Sequence, residues 1–282
     1  MKLSTTYSVL VYCLLVVSFT ACTSTQRKNH VVAIDNSVSV PETVVKHYIE
    51  IVEDIIMKLG SEDRLTLLLI DGCSQTRGER VYTIDLAAMG FTDRNDGINH
   101  SKDSVKARRQ EYLAAQLIEF RNVVAAKRKE RSSCRYYTDI VSSLFEVAKL
   151  AQIEKSYSSN SEQFMNEIVG EKNFQYNTTV YIFSDMIQES SDGMDFKKFA
   201  WSKESDVEEM TNQLQLTGRV PSLNQVNVFV CGATASLGAG ANSNQQITNI
   251  RHFWELFLNK SGALLKNYGY DTRLEIARHA AE

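Results

Sequence analysis

Proline is scarce in this chain of 282 residues, and so is any excess of charge of one sign. Two prolines and 13 glycines exclude a fibrous or linker-rich protein. The net charge of −3 gives no indication of nucleic-acid binding, so no nucleic-acid partner is expected. Apolar residues make up 43% of the chain and charged residues 23%, which is typical of a globular protein with a substantial core.

Cysteine is also scarce, with five in the whole chain. If the first 21 residues are removed on export, Cys22, Cys73, Cys134 and Cys231 remain. With Cys22 set aside as a modified terminus, an odd number of thiols permits at most one internal bridge. The sequence therefore does not describe a disulfide scaffold, and the core must carry the stability.

The first 21 residues have the layout of a secretory signal segment. A lysine near the start and an apolar run over residues 9–19 precede two small residues and Cys22. The run is too short for a membrane-spanning helix. A small residue followed by cysteine resembles the bacterial lipobox, although Phe19 departs from its usual aliphatic residue. We expect lipidation at Cys22, a tether over residues 22–29 and a location in the bacterial cell envelope, anchored to the membrane by lipid. Cleavage by ordinary signal peptidase is the alternative.

Strand and helix patterns alternate after this segment. Short apolar runs indicate strands buried on both faces, and apolar positions at three- and four-residue spacing indicate helices. Such alternation predicts a three-layer doubly wound α/β domain, Rossmann-like, with a mostly parallel sheet and one antiparallel edge strand. One domain over 30–277, followed by a tail at 278–282, accounts for the pattern. The predicted strands are 30–34, 64–70, 81–86 at the edge, 178–184, 225–231 and 272–276, and the predicted helices are 44–59, 102–126, 138–153 and 247–265.

Oxygen-bearing side chains follow the first predicted strand at alternate positions, as Asp35, Ser37 and Ser39. Open parallel sheets bind ligands at the carboxyl ends of their strands. On the same edge we expect Asp185, after a later buried strand, and Thr138, at the start of a helix. Carboxylate and hydroxyl oxygens are ligands that Mg²⁺ or Mn²⁺ prefers, so these five residues predict a divalent-cation site.

At these residues the chain resembles the von Willebrand factor type A (vWA) family. That family's metal-ion-dependent adhesion site uses an Asp-x-Ser-x-Ser motif, a later Thr and an Asp after the fourth strand. The resemblance covers nearly the whole chain beyond the signal segment. It implies that Ser37, Ser39 and Thr138 contact Mg²⁺ directly, while Asp35 and Asp185 act largely through water. It also implies a protein partner that offers an acidic residue to the cation.

Two residues depart from the family pattern, because Val38 and Met186 stand where glycine is common. Neither departure removes a ligand, but both affect the shape of a loop. Since the tether joins the amino end of the first strand and the site lies at its carboxyl end, the site should face away from the membrane.

Other interpretations of the same residues stay open. Asp35 and Ser39 could instead cap the first helix. The protein could be a scaffolding or assembly subunit of an envelope or conjugation apparatus without an obligatory metal, or, with less support, an envelope metallo-phosphoesterase. The sequence has no histidine pair at zinc spacing and no phosphate-binding glycine loop, so we expect a binding protein and not an enzyme.

Two features near the expected site have open roles. Cys73 follows the second strand and Cys134 precedes Thr138, so we expect a disulfide that pins the loop of Thr138; two unbonded thiols are the alternative. A helical insertion over 101–135 carries ten Lys and Arg against four Asp and Glu. It is either a solvated basic helix or a patch for an acidic partner or anionic lipid headgroups.

Overall fold

The computed structural model describes residues 27–72, 81–91, 102–130, 133–151, 176–190, 194–198, 201, 203–233, 243–269, 271 and 273–281. The expected signal segment, the expected lipidation site Cys22 and the expected disulfide partner Cys73 lie outside these ranges. Within them, no helix combines the length and the apolar character needed to cross a bilayer.

Six strands of the described chain form one sheet, and the fold is three-layer α/β as predicted. The strands are β1 (Arg27–Asp35), β2 (Arg64–Ile70), β3 (Tyr82–Asp85), β4 (Tyr176–Phe183), β5 (Asn227–Cys231) and β6 (Leu264–Gly269). Their order across the sheet is β3-β2-β1-β4-β5-β6. All neighbours pair in parallel except β2 and β3, so β3 is the antiparallel edge strand that the sequence predicts.

Helices cover both faces of this sheet. They are α1 (Glu42–Met57), α2 (Lys102–Lys129), α3 (140–151), α4 (Glu204–Leu216), α5 (Ser243–Lys260) and α6 (Arg273–Ala281), with a short 3₁₀ helix at Ser133–Tyr136 before α3. One core lies between the sheet and α3, α4 and α5, and the other lies between the sheet and α1, α2 and α6.

The central strands have two buried faces, which explains their continuous apolar sequences. In β1, Val31 and Ala33 pack on the α3–α5 side, whereas Val32 and Ile34 pack on the α1–α2 side. Successive side chains of a strand point to opposite faces, so a strand between two helical layers needs apolar residues at every position. The run that precedes Asp35 is therefore required by the layer architecture.

The predictions near the carboxyl end were partly wrong. In the described chain the last strand is β6, and residues 273–276 of the predicted strand belong to α6, in which Ile276 is buried against the α1 side and Arg273 pairs with Asp54 of α1. Helix α5 ends at Lys260 because Gly262 has a φ of 78° and turns the chain, although the apolar run beyond it continues the pattern. Helix α4 was not predicted, because its buried stripe is short and includes the polar Thr211.

The carboxyl ends of β1, β2, β4 and β5 meet along one edge of the sheet. Asp35 pairs with Ile70 of β2, and Ile34 pairs with Phe183 of β4. The residues that follow these strands are thus neighbours in space. Arg27 lies at the opposite end of β1, about 26 Å away at the usual rise per residue.

Candidate functional site

Asp35 is the buried centre of the candidate site. Its side chain has no solvent exposure, and its two oxygens have different partners. The Ser37 backbone N–H donates to Oδ1 at 2.9 Å, and the Ser184 hydroxyl donates to Oδ2 at 2.9 Å. The first bond shapes the loop of residues 35–40, here called the pentad loop. The second joins this loop to the end of β4.

The pKa of Asp35 is raised to about 7. Burial is the largest cause, and the negative charge of Asp185 is the second. Hydrogen bonds from Ser37 and Ser184 favour the ionised carboxylate but only partly offset these effects. Ser184, which donates to Asp35, directly precedes Asp185, so the second carboxylate belongs to the adjoining strand end.

The two serines of the pentad loop also lie together. Their hydroxyl oxygens are 2.8 Å apart, with Ser37 buried and Ser39 exposed to solvent. Helix α1 begins at Glu42, its N-cap is Pro41, and no side chain donates or accepts a cap hydrogen bond there. The helix-cap interpretation of Asp35 and Ser39 is therefore wrong, because their polar groups bond within the loop and, through Asp35 Oδ2, to Ser184.

Thr138 lies beside the residues that follow β4. Its backbone forms two hydrogen bonds with Glu189, from the Thr138 N–H at 3.0 Å and to the Thr138 carbonyl at 2.8 Å. Helix α3 starts at residue 140, later than predicted, because Thr138 forms this bridge. The side chain of Thr138 is buried. The loop of residues 133–139, here called the Thr138 loop, is thereby held against the loop of residues 184–190, here called the β4 loop.

Asp139 and Gln188 strengthen the junction of these two loops. Asp139 accepts hydrogen bonds from the Ser142 N–H at 3.1 Å and from the Gln188 amide nitrogen at 2.9 Å. The Gln188 amide oxygen in turn accepts from the N–H groups of Ile140 at 2.8 Å and Val141 at 3.2 Å. These bonds cap the start of α3, so the position of Thr138 depends on a rigid helix end.

Arg135 and Cys134 join the Thr138 loop to the other strand ends. Arg135 Nε donates to the Asn36 carbonyl at 2.9 Å, and the Val38 N–H donates to the Arg135 carbonyl at 2.9 Å. The Gly72 N–H donates to the Cys134 carbonyl at 2.8 Å. Cys134 is disulfide-bonded, while its expected partner Cys73, next to Gly72, lies outside the described residues. The backbone contact at Gly72 agrees with the expected pairing.

The β4 loop has a backbone conformation that usually requires glycine. Met186 has a φ of 64°, in the left-handed region that favours glycine. The methionine side chain is fully buried, its N–H donates to the Ser184 hydroxyl at 3.0 Å, and its carbonyl accepts from Trp254 at 2.8 Å. Asp185 is also fixed, since its Oδ1 accepts the Ile187 N–H at 2.9 Å.

The donor set fits a hard divalent cation. Neighbouring ligands of an octahedral Mg²⁺ at about 2.1 Å lie about 3 Å from each other, close to the observed separation of the two serine hydroxyls. In the described part of the chain, Asn36 Oδ1 is a further buried oxygen without a hydrogen-bond partner. The described residues contain no group of three or more His, Cys, Asp or Glu placed to hold a metal, and the expected site uses only two carboxylates.

Sequence reasoning missed several residues that shape the site, chiefly Ser184, Arg135 and Gln188. Ser184 directly precedes Asp185, so its position at a strand end was a signal. Arg135 and Gln188 carry no such signal, because their partners are 99 and 48 residues away in the chain.

Comparisons with known proteins do not identify the chain. No family model matches it, and no curated protein matches it. Among solved structures it is similar to proximal thread matrix protein 1 from the mussel byssus, with a TM-score of 0.31 and 10% sequence identity. The match covers 90% of this chain and 46% of that one, so this chain spans less than half of its length. A likeness this weak carries no argument about function.

Proposed function

We propose that this chain is a vWA-type protein of the bacterial cell envelope that binds a protein partner through a divalent cation, Mg²⁺ or Mn²⁺, held at the Asp35 site. The observation that carries the proposal is the pairing of a fully buried carboxylate, Asp35, with a second one, Asp185, at the carboxyl edge of the sheet. A buried carboxylate such as Asp35, whose pKa is raised by burial and by the charge of Asp185, is costly for the fold when it is ionised, and a cation would remove that cost.

The neighbouring hydroxyl groups support a cation rather than a simple carboxylate pair. Ser37, Ser39 and Thr138 would supply the hydroxyl ligands, and Asp35 and Asp185 would act from further away, as the family resemblance implies. Hard cations prefer such oxygen ligands, and no thiol or imidazole competes among the five residues. The cation would supply positive charge that an outside carboxylate can approach from solvent, on the side where Ser39 is exposed.

Anchoring by lipid at Cys22 remains part of the proposal. The direction of β1 supports the expected orientation, because Arg27 and the site lie at opposite ends of the strand. A chain tethered just before Arg27 would present the site away from the membrane. Mass spectrometry of protein extracted from membranes tests the anchor, since a diacylglyceryl group on Cys22 is the expected finding.

Calorimetric titration with Mg²⁺ and Mn²⁺ tests the cation site. The wild-type protein should bind one ion, and the Asp35→Ala and Asp185→Ala variants should bind at least about tenfold more weakly, the usual cost of losing a ligand's support. Glu208→Gln is a matched control, because Glu208 is an exposed carboxylate on α4. It should bind like the wild type.

The same titration separates the alternatives. A wild-type protein that binds neither ion contradicts the adhesion-site proposal and leaves the scaffolding function without obligatory metal. Turnover of a generic phosphate ester in the presence of Mn²⁺ would instead favour a phosphoesterase, and we expect none.

A further inference from the structure

Three large apolar or aromatic side chains around the candidate site are exposed to solvent. Val38 is 54% exposed, Tyr136 68% and Tyr137 45%. Single exposed apolar residues are normal on a protein surface, but grouped ones mark interaction sites. These three belong to two short loops that also carry the expected ligands, so we call them the apolar rim.

The apolar rim is held together by backbone contacts. The Val38 N–H donates to the Arg135 carbonyl, directly before Tyr136. Tyr137 packs so closely on Gly72 that a β-carbon at position 72 would approach the tyrosine Cβ to 2.7 Å. A disulfide at Cys134 adds a covalent constraint to the same loop. The rim is thus preorganised, which lowers the entropy cost of binding to it.

The rim is continuous with the cation site. Val38 lies between Ser37 and Ser39, and Tyr137 immediately precedes Thr138. Together the three side chains expose on the order of 300 Å². A ligand whose carboxylate met a cation at this site would therefore have apolar and aromatic surface beside it.

The place of the rim in the fold argues for a protein partner and against a membrane. The amino end of β1, where the tether to Cys22 begins, lies at the opposite edge of the sheet. Charge argues for an acidic ligand, because Arg135 lies beside the pentad loop and a bound cation would add to its charge.

We propose that Val38, Tyr136 and Tyr137 form a docking patch for a protein segment that carries an Asp or Glu next to an aromatic or branched aliphatic residue. This inference rests on the proposed function, since the carboxylate is expected to meet the cation. Tyrosine rings are large and stiff, so burying them against a bound segment costs little conformational entropy. Their hydroxyl groups can form hydrogen bonds of adaptable geometry. The apolar residue of the segment lies one or two positions from the acidic one, within reach of the rim.

Selection from a random displayed peptide library in Mg²⁺ tests the patch. The selected peptides should carry Asp or Glu with a Trp, Tyr, Phe, Ile or Val within two positions. Calorimetry with one selected peptide should then show at least about tenfold weaker binding to the Tyr136→Ala/Tyr137→Ala variant. Leu216→Ala is the matched control, because Leu216 is 86% exposed and lies at the end of α4, away from the site.

Mg²⁺ titration without peptide distinguishes the two proposals. If the wild type and the double variant bind Mg²⁺ equally and only peptide binding falls, the patch is supported. Peptides that need Mg²⁺ but lack an apolar neighbour, or an unaffected double variant, overturn the patch alone. Absence of Mg²⁺ binding by the wild type overturns the proposed function itself.

Other outcomes of these experiments would also contradict the proposed docking patch or identify a different occupant. A library that yields no binder, or a peptide that needs the tyrosines but not Mg²⁺, overturns the joint site. Sedimentation velocity with and without Mg²⁺ covers the other occupant, because self-association lost in the double variant would identify a second copy as the partner. Thermal melting and the Tyr136→Phe/Tyr137→Phe variant, which keeps both rings, show whether a loss of binding reflects unfolding.

Discussion

The raised pKa of Asp35 predicts an unusual dependence of stability on pH. The pKa is about 7 in the folded protein, because of burial and then the charge of Asp185, and about 3.8 in the unfolded chain. Between these values the folded state binds a proton that the unfolded state lacks. The free energy of unfolding should therefore fall as the pH rises from 4 to 7 and level off above that.

The size of the effect follows from the same two values. A shift of about three pKa units corresponds to about 4 kcal/mol in full, of which about 2–3 kcal/mol is expected between pH 5 and pH 8. Urea unfolding in a chelator, followed by fluorescence of the buried Trp201 and Trp254, measures it. Other groups titrate in this range, so the Asp35→Asn variant is the reference.

Asp35→Asn resembles the protonated carboxyl group and should lack this part of the slope. In chelator at pH 8 it should be more stable than the wild type by about 1–4 kcal/mol, since it avoids a buried charge. Mg²⁺ at a concentration that saturates the wild type should stabilise it most at high pH, because protons compete with the cation, and should stabilise the more weakly binding variant less. Equal slopes for the two proteins in chelator would refute the reasoning.

Two further predictions concern single residues outside the ligand set. Met186→Gly should relieve about 1 kcal/mol of left-handed strain but lose a buried side chain, for a net loss of about 1–3 kcal/mol in urea unfolding; a gain in stability would contradict this balance. Burial alone would raise the pKa of Asp63, but hydrogen bonds from His30 and Gly60 lower it. The ionised Asp63 therefore contributes to the free energy of unfolding above pH 4, and this contribution is lost as the pH falls. Asp63→Asn should cost about 1–3 kcal/mol at pH 7 and lose less stability than the wild type between pH 5 and pH 3; parallel acid profiles would reject that assignment.

The layer architecture could be predicted because its signals are local. Continuous apolar runs before Asp35 and Asp185 require burial on both faces, and the period of α1 requires one apolar stripe. The end of α5 could not be read in this way, because the run Ala263-Leu264-Leu265 fits a helix as well as a strand. Only the conformation of Gly262 decides where the helix stops.

The candidate site, like the fold, has some features that the sequence shows and others that it does not. The types and order of its oxygen ligands are visible in the sequence, and so is their place after strands. Their mutual support is not visible, because Ser184 and Asp35 are 149 residues apart and meet only through the register of β1 with β4. The same holds for the contact of Arg135 with the Asn36 carbonyl.

These long-range contacts also explain why the ionised site makes the folded state less stable. Ser184 and the Ser37 N–H hold the Asp35 carboxylate in a buried place near Asp185, and their hydrogen bonds do not compensate for burial and repulsion. A protein selected only for stability would replace Asp35 with a neutral residue. Its presence, with two hydroxyls 2.8 Å apart at the same strand end, follows if a cation neutralises the pair. On this argument, the ion that stabilises the fold is also the ion that a partner's carboxylate meets, so partner binding and folding stability should both respond to Mg²⁺.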